Sequence, residues 1–267
     1  MYKIWLFIKR GLINIFSYKT ALALGILGSF VGILQFTFMA KFLQQGNTFP
    51  GIGQYGGNII AYLIIGSAFT AFLGVSLNSF QGAIRSEQQM GTLEHLLMSN
   101  TKLELLLIYS GVWNFLYTLL NVGILLAIII FIFGVPLGIN FIPAAVTLIL
   151  TILGLSGIGL MSAGMIMVTK VGDPITWIFT TLTGLLSGVL FPISYLPAYL
   201  QAISYMLPTT YALHALRMTL IQNATFSQIL PQILVLILTA MITLPLGFYM
   251  FSWGFDKARR TGTLAEY

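Results

Sequence analysis

Glu87, Glu94 and Glu104 crowd into residues 83–104, and they are half of the six acidic residues in a chain of 267. Carboxylates grouped in this way could share a proton, ligate a metal or dock on a partner. The first two chemistries lack companions. The two histidines, His95 and His214, lie far apart, and with no cysteine there can be no thiolate nucleophile, disulfide or thiolate metal site. No G-x-x-x-x-G-K-[ST] run provides the backbone cradle and lysine that hold nucleotide phosphates. No Ser/His/Asp arrangement is recognisable, and paired-carboxylate hydrolysis within a membrane is unsupported. The chain is expected to have no catalytic site and to hold no metal or cofactor of its own.

Arg217 is the other residue with chemistry to offer. Residues 193–228 around it contain no acidic side chain. Its partner must be backbone carbonyls, a lipid phosphate, or the phosphate or carboxylate of a substrate. His214, one helical turn earlier, reads as a packed, hydrogen-bonded residue and takes no role. Gly184 and Gly188 are spaced G-x-x-x-G, which lets membrane helices approach closely, either in a seam between two copies or in packing within one chain. Gly154, Gly157, Gly159 and Gly164 offer the same closeness one span earlier. Lys170 and Asp173 read as a pair satisfying each other or marking the membrane surface, and as a secondary point of contact for a partner.

The elements that position these residues follow from charge. Of the residues, 58% are hydrophobic and 7% charged, against roughly 25% charged in a soluble domain. Uncharged stretches long enough to cross a hydrocarbon core of about 30 Å separate the charge clusters. Charges and Pro/Gly clusters predict an all-α integral membrane protein with six transmembrane helices at 20–40, 59–82, 105–133, 141–168, 175–191 and 229–255. Residues 1–19 carry Trp5, Ile8, Leu12, Ile15 and Phe16 on one face and Lys3, Arg10, Asn14 and Ser17 on the other, the pattern of a helix lying in the interface. No cleavage site follows, so no removable signal is expected.

Placing both termini in the cytoplasm puts Lys3, Lys9, Arg10, Lys19, Arg85, Lys102, Lys170, Lys257, Arg259 and Arg260 on that side and leaves only Lys41 and Arg217 opposite. All six acids fall on the same cytoplasmic side, so no span carries the buried carboxylate that proton- and sodium-coupled carriers use. The positive balance of +6 sits beside apolar stretches rather than on one polar face, which argues against nucleic acid. Pro197 and Pro208 interrupt the apolar residues 192–228. These are expected to form outer re-entrant helices whose backbone is buried in protein or lines a cavity.

Within residues 83–104, Gly91 is a break, Thr92 can cap a new helix with Glu94 in its first turn, and Leu93, Leu96 and Leu97 make an apolar side. Thr101-Lys102-Leu103-Glu104 then reads as a capping box. Physics alone allows this helix to rest on lipid headgroups or to dock on a protein.

The run Glu87-Gln88-Gln89-Met90-Gly91-Thr92-Leu93-Glu94 resembles the cytoplasmic loop in permease subunits of type-two ATP-binding-cassette exporters. Phe191-Pro192, Leu196-Pro197, Pro208 with Tyr211, and Arg217 resemble that family's pattern between the fifth and sixth spans. The resemblance covers the whole chain. It implies a coupling helix at Glu87, Gly91, Thr92, Leu93, Glu94 and Leu97 that docks on a separate ATPase dimer, which binds ATP and magnesium. It further implies an outer gate near Phe191, Pro192, Tyr211 and Arg217, and a second permease chain, identical or different, for which the Gly184 and Gly188 spacing offers one candidate seam. Membrane lipids surround both in the cell membrane. The Gly-Thr-Leu-Glu pattern is more similar to drug and lipid exporters than to polysaccharide exporters, implying an amphipathic substrate. Export of a lipid-linked polysaccharide, a channel or scaffold without an ATPase, and a secondary carrier are the competing readings.

Overall fold

The structure is a computed structural model that describes residues 2–17, scattered positions between 20 and 39, and residues 58–89, 103–133, 137–169 and 173–261. Among these the chain is helical, with no strand and a single isolated bridge between Gly138 and Gln222. The helices are α1 (Tyr2–Ser17), α2 (Ile59–Gln89), α3 (Leu103–Phe133), α4 (Phe141–Thr169), α5 (Pro174–Leu186), α6 (Ala198–Met206), α7 (Pro208–Ile221) and α8 (Leu230–Arg260), with a 3-10 turn at Ile193–Tyr195. Three of them are long and apolar enough to cross a membrane: α2, over Ile59–Arg85, α4 and α8. The helical positions described between Thr20 and Met39 include exposed Leu24, Leu27, Val31 and Phe38. The rest of the expected first span lies outside the described residues.

Side chains without volume weld α4 to α8. A Cβ on Gly164 would stand 2.5 Å from the Met250 carbonyl oxygen, and the backbone of Thr243 and Leu244 fills the space a Cβ on Gly157 would need. Gly247 and Gly254 of α8 face Gly157 and Gly164 in return. Backbones this close exchange side-chain bonds directly, and Thr243 Oγ1 donates to the Gly154 carbonyl at 2.6 Å. On the neighbouring side of α4, Gly159 abuts the Ser76 and Leu77 carbonyls of α2. The small residues of the fourth span thus serve packing inside the chain. Buried hydroxyls return to their own helices, as Ser76 does to Phe72 O at 2.8 Å and Thr151 to Thr147 O at 2.7 Å, so these donors are not stranded in an apolar interior.

The interior runs the length of this block. Phe69, Leu73, Leu77, Leu155, Leu213 and Leu236 form its middle, and Phe80, Ile84, Leu160, Met167, Phe251 and Ala258 one end. At the other end Asn140 ties the α4 entry to α7, its N–H bonding Thr219 O at 3.0 Å and its Nδ2 bonding Ala224 O at 3.2 Å. The outer face of α8 is an exposed apolar surface of Leu230, Leu234, Leu238, Met241, Leu246 and Tyr249. Helix α1 rests on α3 where Gly11 lies against the Trp113 ring, with Trp5, Leu6, Leu12 and Ile13 exposed.

Three boundaries differ from expectation by five residues or more, the first being the end of α8, at Arg260 rather than 255. Helix α2 continues to Gln89 rather than stopping at 82, because Ala83 to Gln89 contain no breaker and Ile84 is buried against the α4/α8 block. Helix α5 stops at Leu186 rather than at 191. Asp173 Oδ1 caps its start by accepting from Thr176 N–H at 3.0 Å, with Pro174 at the first position, so Asp173 caps a helix while Lys170 lies outside the described residues. Its end is set by Gly188, whose φ of +81° belongs to the left-handed region. Gly188→Ala is expected to cost about 1–2 kcal/mol from that backbone conformation alone, read as a fall of several degrees in the melting temperature of the detergent-solubilised protein.

Candidate functional site

Beyond α5 the chain does not resume a helix until the 3-10 turn at Ile193–Tyr195, so the peptide groups of 187–191 need partners other than their own turn. Arg217 serves two of them, the Gly188 and Val189 carbonyls. Its Nη1 donates to Gly188 O at 2.8 Å, and its Nη2 donates to Val189 O at 3.0 Å and to Tyr62 O of α2 at 3.2 Å. The guanidinium carbon stands 3.4 Å from the centre of the Tyr62 ring, and Tyr62 Oη donates to Gly188 O at 2.7 Å. Arg217 is 2% exposed and Tyr62 1%. Gly66, one turn along α2, makes the approach possible, since a Cβ there would lie 2.5 Å from Val189 O. Of the partners the sequence leaves open for Arg217, backbone carbonyls are the ones in place.

The next two helices solve the same backbone problem with hydroxyls. Helix α6 ends at Met206 and α7 begins at Pro208; the turn between them sits beside Leu150, Thr151, Gly154 and Leu155, about midway along α4. The last carbonyls of α6 would be orphans at that depth. Thr210 Oγ1 donates to Ser204 O at 2.6 Å and Tyr211 Oη to Tyr205 O at 2.9 Å. Thr183 and Thr209 pair at 3.3 Å, joining α5 to the start of α7. Tyr211 is therefore a cap, Pro192 is buried ahead of the 3-10 turn, and Phe191 is half-buried. The structure brings Arg217 to Gly188 but not to Gly184, which is exposed and has open space where a Cβ would stand. Gly184 and Gly188 are separated by the end of α5 and do not form one helical stripe.

A feature the motifs do not reveal lies along α2. Thr70, Gly74, Asn78, Gln81, Gly82 and Arg85 recur every three or four residues and are exposed or half-exposed. Asn78 Nδ2 donates to Gly74 O at 2.8 Å, Gln81 Nε2 to Asn78 Oδ1 at 2.7 Å, and Ser162 of α4 to Gln81 Oε1 at 3.3 Å. On α3, Asn114 reaches Ser79 at 3.4 Å and Asn121 bonds Tyr117 O at 3.0 Å. This face has amides where α8 presents leucines, so it is built for water or a polar group rather than for acyl chains. The i, i+4 spacing of Thr70, Gly74 and Asn78 is its sequence signal.

The family model for the ABC-2 type transporter matches residues 2–221. The chain belongs to the ABC-2 type transporter family. It is thus a multi-pass membrane protein and the transport subunit of an ATP-binding-cassette system, a family whose permeases work with an ABC ATPase. No individual curated protein matches it in sequence. In this permease the segment that resembles the family's coupling loop begins in the last turn of α2. Gly91, Thr92, Leu93, Glu94 and Leu97 lie outside the described residues, as does the side chain of Glu87.

Proposed function

We propose that this permease moves an amphipathic, drug-like or lipid substrate outward across the cell membrane by alternating access, driven by a separate ATPase dimer that holds ATP and magnesium. The observation that carries this reading is the amide- and hydroxyl-bearing face of α2, which is exposed among the described residues and runs toward residues 83–104. Facing its counterpart on a second permease chain, that face would line a path for hydrogen-bonding headgroups, while the apolar bundle surface accommodates the tail. The outward-turned side of α5, with Trp177, Ile178, Thr181, Gly184 and Leu185, is where the second copy would meet this one; Gly188, turned inward, would take no part. Both termini and the coupling residues Glu87, Gly91, Thr92, Leu93, Glu94 and Leu97 would face the cytoplasm, and Phe191, Pro192 and Tyr211 would stand near the outer gate.

Six spans fit this reading, since α3 has no charged residue after Glu104 and α5 is completed by residues 187–191. ATP closing the two ATPases would press on the loops after α2 and bias the pair toward an outward-open state through differential affinity. The test is uptake into inverted vesicles carrying the permease with its ATPase, screened with fluorescent amphipathic dyes, short-chain lipids and glycolipids. Uptake of a dye or lipid that needs ATP and stops with vanadate is the expected result. Uptake that ignores ATP, or accumulation only of glycolipids, would replace this reading with a channel or a polysaccharide exporter.

A further inference from the structure

Arg217 is a full positive charge shut inside the bundle and answered by dipoles rather than by a carboxylate. The sequence offers no acidic residue between Glu104 and Asp173, or between Asp173 and Asp256. The charge is held by three carbonyls, from Gly188, Val189 and Tyr62, and by the face of the Tyr62 ring. Those groups come from two places in the chain, α2 and the non-helical stretch after α5, and the arginine itself from a third, α7. Two of the carbonyls belong to backbone that has no helical partner, so removing the guanidinium leaves Gly188 O with the Tyr62 hydroxyl and strands Val189 O in a dry interior.

A contact of this kind could act as a latch that opens in each cycle or as a joint that stays closed. A latch needs a second set of partners for the released cation, because bistable elements exchange one satisfied arrangement for another. The sequence offers no acid for that purpose, since none lies within those stretches. A joint needs only what is seen. Helix α2 is 31 residues long, about 46 Å at 1.5 Å per residue. Tyr62 lies at one end of it and the segment that resembles the coupling loop follows the other. Gly159 of α4 and the α4/α8 seam pack α2 closely into the same block.

We propose that Arg217 is a positioning residue that fastens the 187–191 stretch and the α6/α7 hairpin to α2, so that a displacement delivered at the Gln89 end of α2 arrives unchanged at the outer gate. The inference rests on the coupling role proposed for residues 83–104. It assigns Arg217 to the transmission of movement, and not to the substrate.

The absence of native cysteine makes the test direct. Leu190, 42% exposed and adjacent to the joint without belonging to it, is replaced by Cys in the permease–ATPase complex reconstituted in nanodiscs. The rate of modification by a charged maleimide is compared between nucleotide-free and vanadate-trapped complexes, with ATP hydrolysis measured in parallel. Leu190→Cys alone is expected to show a nucleotide-dependent rate. Adding Arg217→Gln is expected to abolish that dependence while hydrolysis continues, and Arg217→Lys to restore part of it. A residue needed only for folding would lower the yield of complex and leave the ratio of the two rates intact. A preserved ratio in the Gln variant overturns the proposal. If that variant gives no folded complex, Tyr62→Phe, which keeps the ring but removes the hydroxyl that bonds Gly188 O, decides by the same ratio: a fall supports the joint, and the parent value overturns it. A parent complex blind to nucleotide, or a permease that retains no ATPase, refutes the coupling reading itself.

Discussion

Replacing Gly164 with Leu is expected to leave little folded permease. A first carbon at this position would already sit 2.5 Å from Met250 O and 2.8 Å from the Cα of Phe251, and both are backbone atoms that cannot swing aside. Across the seam Gly254 is pressed against the backbone of Gly164 itself, so neither helix can yield without moving the other. Overpacking a close-fitted interior by ordinary side chains costs about 1–3 kcal/mol; prying two backbones apart along α4 and α8 also gives up neighbouring contacts such as Thr243 to Gly154 O. Folded proteins hold a margin of about 5–15 kcal/mol, so the loss is a large share of the total. Fluorescence-detected gel filtration after a heating series would read it as a collapse of the monodisperse peak. Gly123→Leu is the control, because nothing lies within 4 Å of a Cβ at that position on α3. Equal melting of the two variants would show that the α4/α8 seam is not what holds the bundle together.

The second large effect is expected at Glu94. Reversing this charge to Lys should leave ATP hydrolysis by the complex running while ATP-dependent uptake falls at least about tenfold. Like charges brought together at an interface cost several kcal/mol, and each 1.4 kcal/mol is about a factor of ten in a binding equilibrium. Hydrolysis and uptake measured on the same vesicles check it. If both fall in proportion, the variant has lost its ATPase altogether; if neither falls, Glu94 has no part in docking. The prediction rests on the resemblance of Gly91-Thr92-Leu93-Glu94 to the family's loop and on the elementary electrostatics of the swap.

Much of this architecture is legible in the residues because hydrocarbon leaves a chain few choices. Uncharged runs of the right length mark α2, α3, α4 and α8 to within a few residues except at the tails of α2 and α8, where the change from apolar to polar side chains looks like an end although the helix continues. The stop of α5 at Leu186 is hidden for a different reason. It depends on Arg217, some thirty positions later, and on Tyr62, well over a hundred earlier, and neither local propensity nor composition carries that relation. The same holds for Gly188: its spacing from Gly184 suggests a helical stripe, and only the left-handed backbone shows that it serves a turn. The polar face of α2 is present in the residues all along. Thr70, Gly74 and Asn78 are each ordinary alone, and a face becomes visible only when a helix axis is drawn through them.

The way Arg217 is neutralised bears on how the permease tolerates its surroundings. Surface ion pairs weaken as dissolved electrolyte crowds between the partners, but counterions have no route to a guanidinium enclosed by peptide oxygens and a tyrosine ring. Brine and fresh water therefore meet the same internal fastening. Slowing of the permease by high ionic strength is expected to arise at solvent-exposed contacts and not at this one.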